Sequence, residues 1–204
     1  MSIFSLYSSS PLPGKAKVME TRMRTVLGII AQKGAKGTRL HQDRIGANAG
    51  NMAMVAESES FHHATSVFDQ LWKDSLFLEI NQQRQSDPAG TPFGPVFMRD
   101  VCGKPDISAG CHVYRNYKLE RKNLDKAIKL MNSVSKLSNE LTVCGVIPVL
   151  PPEMDTMTAV YQFDSVVDAG KFMDQVGLSP EFQKIVSQAS ELGTLVQAGM
   201  NVRI

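Results

Sequence analysis

The stretch MAMVAESESFHHATSVFDQL (52–71) and the stretch MTAVYQFDSVVDAGKFMDQV (157–176) together decide the fold. They superpose at a shift of 105 residues. Met52 falls on Met157, Val55 on Val160, Ser60 on Ser165, Ala64 on Ala169, and Asp69-Gln70 on Asp174-Gln175. The register runs on without a gap, so that Phe77 falls on Phe182, Ile80 on Ile185 and Gln83 on Gln188. That makes nine identities in 32 aligned positions. Upstream, Met19, Met23, Val26 and Ile29 fall on Leu124, Ile128, Met131 and Val134, which are apolar positions three and four apart. Asp74 falls on Ser179, and both are good helix caps. Self-similarity at a fixed period marks two copies of one structural unit.

Each copy reads the same way. In the second, CHVYRNYKL (111–119) is a strand, and 120–138 is an amphipathic helix with Leu124, Ala127, Ile128, Met131 and Val134 on one face. LTVCGVIPVL (141–150) is β-branched and apolar, hence a strand, with Pro148 near an edge or a bulge. Pro151-Pro152 make a turn, and 157–163 is the next strand. Asp164 caps a helix over 165–176 that Gly177 ends. Ser179-Pro180 restart a helix, and 194–204 is a last strand. The first copy gives a strand over 2–8, a helix over Lys15–Gln32, strands over Thr38–Ile45 and Met52–Ala56, a broken helix over Ser60–Gln83 and a strand over Val96–Cys102. GKPDISAG (103–110) is polar and rich in Gly and Pro, so units at 1–103 and 111–204 are joined by a linker at 104–110. The order β-α-β-β-α-β is that of a ferredoxin-like α+β unit, whose antiparallel sheet carries helices on one face. Val143, Val146, Val149, Val160 and Val196 put apolar residues on both strand parities. The second sheet face is therefore also expected to be buried, against the other copy.

With its strand order, its broken second helix and the segment SPEFQKIVSQASEL (179–192), the chain resembles the dimeric α/β-barrel superfamily over nearly its whole length. That group includes antibiotic-biosynthesis monooxygenase-like, stress-responsive barrel and NIPSNAP-like domains. The resemblance is one of pattern, with no diagnostic motif matched. It implies a tandem fusion, two ferredoxin-like units forming a pseudo-dimeric barrel in one chain. It also implies a ligand site between sheet and helices or inside the barrel. In monooxygenase-type relatives the substrate itself activates oxygen, so few catalytic residues are needed. Haem, known in some relatives, would need an axial ligand such as His41 or His112.

Composition adds exclusions. The 204 residues carry 22 basic and 20 acidic side chains, a net charge of +2, so no global field favours nucleic acid or an anionic membrane. No run approaches the about 18 apolar residues of a membrane span. The N-terminal residues lack the basic and apolar blocks of a secretory leader, so none is expected. Cys102, Cys111 and Cys144 form no CxxC pair and read as free thiols of a cytoplasmic protein, with a Cys102–Cys111 bridge as the alternative. Lys15–Arg39 holds seven basic residues and one acid, but Met19, Met23, Val26 and Ile30 make it an ordinary amphipathic helix with a basic outer face.

Polar residues inside strands are the candidate ligand-binding positions. Arg39, His41 and Asp43 share one parity of their strand, and could bind an acid group or move a proton. His112, Tyr114 and Asn116 share one parity of theirs, and could bond a phenolic or carbonyl ligand. The competing readings are a solvated edge strand for the first trio and a polar face covered by the other copy for the second. His62-His63 are adjacent on a helix and point about 100° apart, so they do not chelate one ion. No metal and no cofactor is expected. Two functions stay open at this point. One is an enzyme or receptor that binds or oxidises a small apolar or aromatic molecule without a metal. The other is a non-catalytic binding or assembly module whose sheet faces serve only packing. Copies could associate through helix faces or edge strands.

Overall fold

The computed structural model describes residues 2–138, 141–150 and 153–204. The turn expected at Pro151-Pro152 lies outside these. The first half runs β1 (Ile3–Pro11), α1 (Ala16–Gln32), β2 (Gly37–Gly46), β3 (Met52–Ser58), α2 (Phe61–Leu71), α3 (Ser75–Ser86) and β4 (Gly90–Cys102). The second runs β5 (Cys111–Leu119), α4 (Leu124–Val134), β6 (Thr142–Pro148), β7 (Thr156–Phe163), α5 (Val166–Phe172), α6 (Pro180–Leu192) and β8 (Gly193–Arg203). A 3-10 turn precedes α4 and one turn of π-helix follows α5. Both halves have the β-α-β-β-α-β order.

The repeat is visible in the local chemistry. Ser60 and Ser165 are the N-caps of α2 and α5, their side chains accepting from the backbone N–H groups of His63 and Asp168. The expected cap Asp164 is thus displaced by one residue, because the Ser165 hydroxyl reaches the third N–H of the helix. Asp74 and Ser179 cap α3 and α6, and Pro180 takes the first helical position, where its missing N–H costs nothing. β4 starts six residues earlier than expected, since Gly90–Phe93 pair with Ser8–Pro11 of β1.

All strand pairs are antiparallel, and they close into one barrel in the order β1-β3-β2-β8-β5-β7-β6-β4. The halves are hydrogen-bonded along two seams. In one, His41 of β2 stands opposite Arg203 of β8; in the other, Met98 of β4 stands opposite Pro148 of β6. Closure does not remove every free edge: residues 90–96 of β4 pair only with β1, and residues 193–198 of β8 pair only with β5. Each of the eight strands nevertheless has a neighbour on both sides over part of its length. For the same reason β2 is not a solvated edge strand.

Period-two alternation sends one parity of each strand to the helices and the other to the barrel interior. Met52 and Met54 of β3 and Leu40 of β2 pack on Met19, Met23, Val26 and Leu27 of α1 and Phe77 of α3. In the second half Tyr161 and Phe163 of β7 pack on Met131, Val134, Phe172 and Phe182. Val143 and Val146 are buried on opposite parities of β6, as both-face burial requires, whereas Val196 is exposed. The three cysteines are free thiols, so the Cys102–Cys111 bridge is not formed. The basic side chains of α1 are matched by carboxylates: Lys15 and Arg22 by Asp87, and Lys17 and Arg24 by Glu20.

Candidate functional site

The outer face of β1 carries Ser5, Tyr7 and Ser9 toward α1–α3, and β3 adds Met54 and Ala56. Small side chains there leave the helix layer unsupported, and a cavity of about 800 Å³ lies between sheet and helices. Its wall is mostly apolar, with Met23, Val26, Phe68, Trp72, Phe77 and Ile80 among the lining residues. Phe68 and Phe77 each meet Trp72 edge to face, with ring centroids 6.0 and 5.3 Å apart.

The corresponding space of the second half is only about 50 Å³. The strand registers explain this. Ser5 pairs with Ala56 and Val113 pairs with Tyr161, so Ser5-Ala56 in one half stands where Val113-Tyr161 stands in the other. Likewise Ser9-Met52 corresponds to Tyr117-Met157. Tyr161, Phe172 and Phe182 fill the space, with the Arg115 guanidinium 5.7 Å from the Tyr161 ring centroid and 5.3 Å from that of Phe182.

One polar group of the cavity is built rather than incidental. Arg84 of α3 donates from Nη2 to the Tyr7 hydroxyl and from Nη1 to Asn81 Oδ1, the latter at 3.3 Å. The same guanidinium lies 5.3 Å from the Tyr7 ring centroid. Burial raises the pKa of Tyr7 against the pull of Arg84, so its phenol keeps its proton. Asn81 Nδ2 is buried with no hydrogen-bond partner among the described residues. Arg22 is the second cation of the wall, held by Asp87 through the backbone oxygen at 2.7 Å and the carboxylate at 3.3 Å. The described lining contains no carboxylate, imidazole or thiol.

The six residues singled out in the strands lie elsewhere, and the fold brings them together. None lines this cavity. Arg39 and His41 on β2 and His112 on β5 are buried on the interior parity. The two imidazoles are 5.3 Å apart, and Arg39 Nη1 lies 3.4 Å from His112 Nε2. His41 Nδ1 bonds Asn201 Oδ1 at 2.8 Å, and His112 Nε2 bonds the Asp106 carbonyl at 3.0 Å. Burial, reinforced by Arg39, holds His41 well below the ordinary histidine pKa and His112 at about 4, so both are neutral at pH 7. Asp43, raised to about 6 by burial, faces Tyr114, which burial and that carboxylate push to about 12. The Tyr114 ring lies against Gly199, where any Cβ would collide with it. Asn116 accepts from Thr158 at 2.7 Å and donates to Gln197 at 2.9 Å.

No family model matches the sequence, and no curated protein matches it either. Solved structures do. An anthrone oxidase-like protein superposes with a TM-score of 0.68 at 11% identity, over 100% of this chain and 91% of that one. A ferredoxin-fold protein of Listeria monocytogenes related to antibiotic biosynthesis monooxygenases superposes at 0.55 and 11%, over 100% and 95%. The chain has the dimeric α/β-barrel fold. A heme-degrading enzyme of Listeria monocytogenes shares it, with a TM-score of 0.53 and 12% identity over 99% of both chains. Haem held in this cavity with His41 or His112 as the axial ligand does not fit the arrangement of the residues. His41 and His112 are on the opposite side of the sheet from the cavity, and the cavity wall has no imidazole or thiol among its described residues.

Sequence reasoning missed Tyr7, Asn81, Arg84 and Trp72. The signal was present in Ser5, Tyr7 and Ser9, three polar residues on the strand parity that faces helices, and in the repeat register that sets Ala56 against Tyr161. The histidines of the helix surface stay separate: His63 Nδ1 accepts from Glu59 N at 3.4 Å. Among the described residues no group of three His, Cys, Asp or Glu is placed to hold a metal, and no helix is long and apolar enough to cross a membrane.

Proposed function

We propose that this protein binds a small, largely apolar aromatic molecule in the cavity of its first half and oxidises it without a metal. The observation that carries this reading is the cavity itself, about 800 Å³ and apolar, with Tyr7, Arg84 and Asn81 converging in it. Ligand sites are typically apolar clefts of this size with a few placed polar groups. With Arg84 and Arg22 on the wall and no carboxylate or imidazole base among its described residues, the site favours a ligand that arrives ionised, a phenolate or an aromatic carboxylate. Arg84 would donate to its oxygen. An electron-rich aromatic anion held away from water can pass electrons to dioxygen itself, which is the chemistry the resemblance implied. The likeness to an anthrone oxidase-like protein supports this at the level of fold. The assembly-module reading requires both halves to be filled by packing, and only the second is.

We also assign 1–103 and 111–204 to the two ferredoxin-like units, with 104–110 as the linker, on the strength of the paired caps at Ser60 and Ser165. The free cysteines fit a cytoplasmic protein. Homo-association would use helix faces, where Val166, Val167 and Leu178 are exposed. The test is dioxygen uptake by the purified protein with a panel of hydroxylated aromatic acids in the presence of a chelator. Uptake with at least one of them is expected. Saturable binding without uptake would leave a receptor, and no binding at millimolar ligand would overturn the reading.

A further inference from the structure

Ser5, Tyr7 and Ser9 turn three hydroxyls of β1 toward the cavity, and two of them are engaged. Ser9, which is buried, donates to the Thr91 carbonyl at 3.2 Å. Tyr7 accepts from Arg84. Ser5 has no hydrogen-bond partner among the described residues, and its half-buried side chain keeps the oxygen open to the cavity rather than sealed under protein atoms. The fold does not call for an oxygen there. The strand registers set Val113 at the same place in the second half, where its branched apolar side chain packs in the filled core. Valine suits a strand better than serine and has no hydroxyl to satisfy.

The charges of the wall sort in a similar way. Arg22 already has a counter-charge, its Nη2 lying 3.3 Å from the Asp87 carboxylate. Arg84 has no carboxylate partner among the described residues, its guanidinium being bonded to Tyr7 and Asn81. One cation is thus left for one negative charge on the ligand. Successive residues on one face of a strand stand about 7 Å apart, so Ser5 offers its hydroxyl roughly a ring's length along β1 from Tyr7. We infer that Ser5 is a second polar anchor of this site, selecting an aromatic anion that carries a further, uncharged oxygen, a hydroxyl or a carbonyl, at the end away from its ionised group. A serine hydroxyl accepts from a hydroxyl and donates to a carbonyl, so it serves either. The inference rests on the aromatic-anion reading of the cavity and narrows it to ligands oxygenated at two ends.

The test is isothermal titration of the full chain at pH 7 with two matched pairs, para-hydroxybenzoate against benzoate and para-coumarate against cinnamate. Wild type is expected to bind the hydroxylated member of at least one pair about threefold to tenfold more tightly, the gain from one neutral hydrogen bond. In Ser5→Ala that ratio is expected to fall to about one, and Tm to stay within about 1 °C of wild type. A ratio near one in wild type, or a ratio that Ser5→Ala leaves unchanged, overturns the inference while the aromatic-anion reading stands. A Tm lower by about 3 °C or more in the variant does so too, since it marks an oxygen bonded within the protein. No binding of any of the four acids at millimolar concentration overturns that reading and the inference with it.

Discussion

Ala56 on β3 and Tyr161 on β7 are 105 residues apart in sequence and occupy the same place in the two half-barrels, each at the middle of a strand facing the helices. One leaves the space beneath the helices open and the other closes it. With Ser5 against Val113 and Ser9 against Tyr117, this pair makes the first half open beneath its helices and the second filled. Exchanging them should exchange the properties. Tyr161→Ala removes a buried aromatic that packs on Phe172 and Phe182, and should cost about 3–5 kcal/mol in denaturant unfolding. Ala56→Tyr places an aromatic into empty space, and should leave stability at or above wild type. A large loss for Ala56→Tyr would mean that the cavity is not available space.

The Arg84–Tyr7 contact gives the cavity its polarity. Arg84→Met should weaken binding of an ionised aromatic ligand about tenfold to a hundredfold, the cost of one charge-assisted hydrogen bond, and weaken that of its neutral methyl ester far less. Isothermal titration of the acid and ester pair checks this. Equal losses for both would show that Arg84 only shapes the wall.

The interior histidines make acid stability depend on the barrel. With a folded-state pKa of about 4 against an ordinary 6.5, His112 takes up its proton more readily when unfolded, so its contribution falls as pH drops from about 6.5 to 4. His41, also held well below the ordinary value by burial, acts in the same direction. Asp43 opposes them. Raised to about 6, it binds its proton more tightly when folded, so its contribution falls as pH rises from about 4 to 6. Two groups outweigh one, and stability should rise between pH 4 and 6.5, each histidine adding a slope of at most about 1.4 kcal/mol per pH unit. Unfolding free energies across that range should flatten in His112→Gln and steepen in Asp43→Asn. A slope of the opposite sign in wild type would contradict the burial of the imidazoles.

The paired caps offer a check on the repeat. Ser60→Ala and Ser165→Ala each remove the acceptor for the third N–H of a helix, and each should cost about 1 kcal/mol. Comparable losses in urea unfolding are expected of the two variants. A loss at one position alone would mean that the halves are not energetically equivalent there.

Much of the architecture was legible in the sequence because caps and core positions obey local rules. Asp74 and Ser179 could be placed as caps from spacing, and Met19, Met23, Val26 and Ile29 on α1 from their helical period, whereas at α5 the sequence pointed to Asp164, one residue before the Ser165 that caps it. The meeting of Arg39 with His112 was legible only by halves, as two strand parities. Their contact depends on β8 standing between β2 and β5, which is a long-range pairing that no local pattern encodes. The cavity was harder still. It is defined by volume that Ser5 and Ala56 fail to fill, and missing volume shows in a sequence only when the other copy supplies Val113 and Tyr161 as the standard. Tyr7 and Arg84 come from β1 and α3, 77 residues apart, and share no motif.

The central claim is that the first half-barrel binds an aromatic anion where the second cannot. Trp72, the one tryptophan of the sequence, lines the cavity and reports on it directly. The decisive measurement is a titration of Trp72 fluorescence with hydroxylated aromatic acids, wild type beside Ala56→Tyr. A saturable change in wild type that is lost or shifted by more than tenfold in Ala56→Tyr is the predicted result. No change in wild type at millimolar ligand, or the same curve for both proteins, would contradict it.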